Sequence, residues 1–286
     1  SLRHELDRAL VVRRLGSGEV QIGRQAIGWG RGVLFGAVDI FAPFNPLEND
    51  REWRRGVDAV RASLPLTDLF SLDAVAALGE SVDASAFVGR VQGYVGEVDG
   101  EVLVGRRRRD LFAGVAASLP VKGAEVHGEW ALFVTPEPVL ERDKVFEVLL
   151  GGSYAWDICG GLLLLGEYHY SGWGTEDIED LTAHLADATY RERIFRGDAQ
   201  IAGRHAGGLQ LSRGFGSALP LSAGWIFAPT DGSGVLTALA TWVFSDAVTL
   251  AASGYWPYGD EPTGAVLRSE YGGVARSGLL QISFYY

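Results

Sequence analysis

The chain has one cysteine, no methionine and only two lysines, Lys122 and Lys144, among its 286 residues. A lone Cys159 excludes an internal disulfide and any cysteine-based zinc cluster. No apolar run approaches the ~18 residues that a membrane-spanning helix needs; the four consecutive leucines between Gly161 and Gly166 stop far short. Acidic residues outnumber basic ones, 36 to 25, and a formal charge of −11 argues against nucleic acid as a partner. Catalytic signatures are missing too: there is no Gly-x-Ser-x-Gly, no His-Glu-x-x-His and no phosphate-cradling Gly-x-x-x-x-Gly-Lys. Ser1 opens the sequence with neither an initiator methionine nor a signal peptide, so the chain is expected to be processed or to lack its beginning.

Glycine (39), tryptophan (8) and two-residue alternation are present instead, and the chain is 47% hydrophobic. In Phe87–Val95, Phe87, Val91 and Val95 share one face, and Arg90, Gln92 and Tyr94 the other. Val126, Trp130 and Val134 alternate with Glu125, His127 and Glu129; Leu236, Trp242 and Phe244 with Thr237 and Thr241. A period of two is a strand with one apolar and one polar face. Aromatics collect at the ends of the apolar faces, where membrane interfaces would lie. Short turns (Gly16–Gly18, Thr67-Asp68, Val98–Gly100, Val121–Gly123, Asp157–Gly160, Gly214–Ser217, Ser245-Asp246) alternate with longer links. These links are 31–56, 80–85, 136–142, 174–198, 229–233 and 258–276. Segregation of short turns from long loops predicts an all-β antiparallel transmembrane β-barrel as a single domain, with about 15 strands in this chain. Bacterial single-chain barrels have an even number of strands, so one or more N-terminal strands are expected to be missing, or supplied by another chain. A weaker alternative makes Ala265–Tyr271 an extra strand.

The closing stretch, with Leu280, Ile282, Phe284 and Tyr286 at a spacing of two, resembles the C-terminal strand of bacterial outer-membrane β-barrels. That resemblance implies a signal read by the barrel assembly machinery, an outer-membrane location and a periplasmic C-terminus. Gly23-Arg-Gln-Ala-Ile-Gly-Trp-Gly30, Asp39-Ile-Phe-Ala-Pro-Phe-Asn-Pro-Leu47 and Arg51-Glu-Trp-Arg-Arg-Gly-Val-Asp58 resemble a segment of outer-membrane barrels of porin and alginate-export type. Ala42-Pro43 departs from that pattern. The resemblance implies that the 31–56 loop bends into the pore and places Asp39, Arg51, Arg54 and Arg55 at a constriction; rim salt bridges are the competing reading.

With apolar faces toward lipid, the alternate residues line the interior: Arg90, Gln92, Arg107, Glu125, His127, Glu129, Glu147, Glu167 and His169. Acids on one wall and arginines on another would orient polar solutes. The same pattern would arise from charges that pair across a plugged interior. The two histidines among carboxylates match no recognised metal spacing, so neither metal nor cofactor is expected. Arg106, Arg108 and Arg109, at a strand end on the long-loop side, suit lipopolysaccharide phosphates or a solvated rim paired with acids. The 174–198 link reads as a helical loop, with Ile178, Leu181 and Leu185 at helical spacing, acids early and arginines late.

These readings predict a non-enzymatic channel passing a hydrophilic solute or polymer. The alternative is a non-conducting anchor or structural subunit of an envelope complex, completed or plugged by a partner chain or by self-association.

Overall fold

The computed structural model describes residues 7–43, 46–47, 54–158, 161–215 and 218–285. Fifteen strands pair antiparallel in chain order, each with its sequence neighbours. They are β1 (Ala9–Leu15), β2 (Gly18–Gln25), β3 (Val57–Pro65), β4 (Phe70–Ala77), β5 (Ala86–Val95), β6 (Val98–Arg107), β7 (Asp110–Val121) and β8 (Ala124–Val139). There follow β9 (Arg142–Trp156), β10 (Leu162–Ser171), β11 (His205–Phe215), β12 (Leu219–Ala228), β13 (Ser233–Ser245), β14 (Val248–Tyr258) and β15 (Ser277–Phe284). At one end of the strands the connections run from two to five residues (16–17, 66–69, 96–97, 122–123, 157–161, 216–218, 246–247). At the other they include 26–56, 78–85, 172–204 and 259–276.

Two expected connections move. The turn placed at Val98–Gly100 is Gly96-Glu97, and Val98 already belongs to β6. The link expected over 136–142 is mostly strand: β8 runs to Val139, and Leu140-Glu141 turns the chain with φ of 48° and 68°. Two consecutive left-handed residues make the tight hairpin turn that matches strand twist; the prolines at 136 and 138 suggested a loop that the pairing overrides. Arg108, also left-handed at φ 57°, stands in the two-residue turn between β6 and β7. Ala265–Tyr271 forms no strand; the segment contributes only a bridge between Thr263 and Val266.

The chain divides into two compact units, 1–119 with 127–149, and 120–126 with 150–286. Within the first, the buried face of the strands carries Asp73, Val75, Val88, Glu101, Leu103, Phe112, His127 and Glu129. The opposite face carries Phe87, Val91, Val102, Val104, Leu111, Val115, Trp130 and Phe146, all between 36% and 65% exposed. This polarity is inverted relative to a water-soluble protein, whose strands hide apolar side chains and expose charges. A contiguous apolar outer face of this extent is costly in water and stable against hydrocarbon.

In the second unit the 172–204 connection is helical in pieces, with a 3-10 turn at Ile178–Asp180, then α1 (Leu181–His184) and α2 (Ala188–Phe195). A continuous run does not form, because two caps compete. Asp177 accepts from the Glu179 amide, and Asp187, in extended conformation, accepts from the Tyr190 amide and starts a new helix.

Candidate functional site

Strands β3 to β6 bring opposite charges together on the buried face of the first unit. Register sets Ser63 and Arg90 on either side of Asp73. Arg61 reaches the Asp73 carboxylate at 3.0 Å, and Arg90 donates both to Asp73 and, at 3.0 Å, to Glu101 on β6. Arg31, from the β2–β3 connection, adds pairs with Asp99 at 2.8 Å and Glu101 at 3.6 Å. The Glu101 side chain is fully screened from solvent and that of Asp73 is 4% exposed. Charges so buried persist only when paired and hydrogen-bonded. The chain of guanidinium and carboxylate groups meets that condition.

The 26–43 stretch folds against this face. Ile27, Trp29, Leu34, Phe35, Val38 and Ile40 are all buried, and the Arg90 guanidinium lies 5.1 Å from the Trp29 ring centre. What fixes the stretch is one carboxylate. Glu129 on β8 accepts from the backbone amides of Arg31 and Gly32 on one oxygen, and of Ala37 and Val38 on the other. The neighbouring Gly30 amide goes to Glu101 at 2.7 Å. Two glycines make the approach possible: a Cβ on Gly30, at φ 102°, would stand 2.5 Å from a Glu129 oxygen, and one on Gly32 would strike the Phe35 carbonyl and Leu149. Farther along, Arg54 donates to the Asp39 carboxylate and to the Ala42 carbonyl, closing the base of the connection. Burial pushes the Asp39 carboxyl up to about 6, a rise opposed by Arg54 and reinforced by Glu129.

Of the expected constriction residues, Asp39 and Arg54 therefore meet, Arg55 is exposed, and Arg51 lies outside the described residues. Arg90, Gln92, Arg107, His127, Glu129 and Glu147 all point to the buried face of the first unit, with Gln92 opposite Glu101 and Arg107 opposite Asp110. In the second unit Glu125 is half-buried, while Glu167 and His169 are buried on β10. Instead of lining water, Glu129 grips main chain. Arg31, Arg61, Asp73, Asp99 and Glu101 complete the network and were not singled out from the sequence. Asp73 in Leu-Asp-Ala-Val and Arg61 in Val-Arg-Ala, ionised groups inside apolar strands, were the available signal. Arg106 pairs with Asp83 and Arg109 with Glu137 at the rim, while Arg108 occupies the left-handed turn position beside them. Leu280, Ile282 and Phe284 lie exposed on β15; Tyr286 and Cys159 fall outside the described residues. Among the described residues no three metal-ligating side chains converge.

The second unit differs in chemistry. On the inner faces of β11 to β15, Gln210, Ser212, Ser222, Thr237, Ser253 and Gln281 recur, and Tyr255 is the only ionisable side chain there. On the outer face two aromatic belts appear: Trp225, Phe227, Trp256 and Tyr258 toward the long connections, and Phe215, Trp242 and Phe244 toward the short turns. Trp225 donates from its indole nitrogen to the Tyr258 hydroxyl at 2.8 Å. Gly234, which pairs with Tyr258, and Phe244 are ten residues apart on β13. At about 3.3 Å per residue and a tilt of about 40°, the belts stand about 25 Å apart, the height of a barrel's apolar band.

The long connections of this unit are knitted by Glu270. Its carboxylate accepts from the Ala202 and Gly203 amides, while its own amide donates to Asp231. Burial raises the Glu270 carboxyl above its usual range and pushes up the adjacent Tyr271 phenol. Arg193 lies 4.7 Å over Trp173 and pairs with Asp198, so the helical pieces are held by the same loop assembly.

No family model matches the chain, and no curated protein is similar to it in sequence. Solved structures do match. OccK11 (OpdR) of Pseudomonas aeruginosa is similar at 10% identity and a TM-score of 0.54, over 97% of this chain and 80% of that one. A BenF-like porin from Pseudomonas fluorescens matches at 10% identity and a TM-score of 0.52, over 96% and 76%. Wzi of Escherichia coli, an outer-membrane carbohydrate-binding β-barrel involved in group 1 capsule assembly, matches at 12% and 0.55, over 88% and 66%. The chain thus spans about two-thirds to four-fifths of these proteins' lengths. The inverted strand polarity, chain-order pairing and these likenesses together give the antiparallel β-barrel fold of outer-membrane porins.

Proposed function

We propose that the protein is an outer-membrane channel passing hydrophilic solutes without bond chemistry. The observation that carries this reading is the inverted polarity: charges buried on one strand face, apolar side chains and two aromatic belts on the other. Neutral, hydroxyl-rich solutes fit best. In the first unit the network charges are already paired with one another, and in the second the inner faces of β11 to β15 are almost free of ionisable groups. The carbohydrate-binding barrel among the similar structures supports the same solute class.

A second reading has its own support. The buried packing of Trp29, Phe35 and Val38 is that of a plug as much as of a constriction, and a non-conducting barrel in an envelope assembly would need one. Single-channel recording of the purified, heat-modifiable protein in a planar bilayer separates the two. The channel reading predicts stable stepwise currents, a reversal potential close to zero in a salt gradient and block by neutral oligosaccharides. Silence from the folded protein would leave the structural subunit.

A further inference from the structure

Midway between the aromatic belts of the second unit, the outer face turns from large side chains to small ones. Register aligns Ala223, Ala238 and Gly254 in one row across β12, β13 and β14, and Ala240 with Ala252 in the next. Leu211, Phe215 and Trp256 stand around them, and the depression they enclose measures about 750 Å³. The first row, extended by Leu211 on β11 and Gly278 on β15, crosses five strands. Four inter-strand steps make it about 19 Å long, and strand tilt carries it obliquely across the hydrocarbon layer.

At the short-turn end of this depression is a charge that no carboxylate among the described residues answers. Arg213 lies on the apolar face in register with Leu162 and Leu221, its guanidinium 4.0 Å over the Phe215 ring. Its Nε is buried and has no hydrogen-bond partner, and among the described residues it forms no ion pair. An arginine on the lipid face is costly at mid-membrane and less so toward the interface. A phosphate offsets that cost, because its oxygens accept from the guanidinium fork. A concave apolar floor, for its part, gains dispersion contacts only when something fills it.

We infer that this groove binds one glycerophospholipid, with an acyl chain along the Ala238 row and the phosphate on Arg213. The inference rests on the membrane reading above, but not on conduction. Native mass spectrometry of the detergent-purified protein tests it, with phosphatidylglycerol and diacylglycerol of identical chains as probes. The wild type should retain one phosphatidylglycerol and release diacylglycerol. Arg213→Gln should weaken phosphatidylglycerol retention at least tenfold, with Arg213→Lys intermediate, and Ala238→Leu should abolish it by filling the groove. Heat-modifiability should not change in any variant. Equal retention of both lipids, or of neither, would overturn the inference, as would an oligomer that Ala238→Leu converts to monomers, since the groove would then seat a second copy. Should Ala238→Leu fail to fold, the Arg213 pair alone decides. Failure of the wild type to insert into liposomes would instead remove the membrane reading itself.

Discussion

At the residue scale, Glu129 is the clearest case of one side chain setting a larger geometry. A carboxylate has two accepting oxygens, and here each serves two backbone amides. Glu129→Gln keeps the shape but replaces one acceptor with a donor facing amides that also donate. Each charge-assisted hydrogen bond is worth about 1.5–3 kcal/mol, so the 30–38 stretch should exchange amide hydrogens at least tenfold faster in the variant, as read by mass spectrometry. Asp39 makes a second prediction. In the folded protein its carboxyl holds a proton up to about pH 6, against 3.8 for the free side chain. Between those values the native state binds more protons than the unfolded one, so this group's contribution to stability falls as pH rises from about 4 to 6. The thermal midpoint of the wild type relative to that of Asp39→Asn should fall over that interval and level off above it. An unchanged difference would show that Asp39 titrates normally.

At the element scale, the hairpin at Leu140-Glu141 was illegible because Pro136 and Pro138 mask a strand end, and neither turn residue is the Asn-Gly that announces such turns. Leucine in the left-handed region costs about 1–2 kcal/mol, so Leu140→Asn with Glu141→Gly should stabilise the protein by about that amount in urea titration. Strand existence was far easier to read than strand ends, because alternation survives along most of each strand while turns depend on two or three residues. The site was legible to the same degree. Which face His127, Glu129 and Glu147 occupy follows from parity alone. That Glu129 would hold main chain, and that Asp73 would find Arg61 and Arg90, depends on register and on where a loop returns, which no local pattern encodes.

At the scale of the whole molecule, the aromatic belts of the second unit predict depth. Trp242 should be quenched by lipids brominated near the headgroup more than by those brominated near the chain end, and so should Trp225; single-tryptophan variants would report this by fluorescence. Equal quenching at every depth would argue against a fixed membrane position. The pairing order carries a different consequence. Every strand bonds only to its sequence neighbours, with no crossover anywhere in the order from β1 to β15. The smallest piece such an architecture can gain or lose without rewiring its ladder is a hairpin, so relatives of this chain should differ in circumference by steps of two strands, by duplication or deletion of adjacent coding segments.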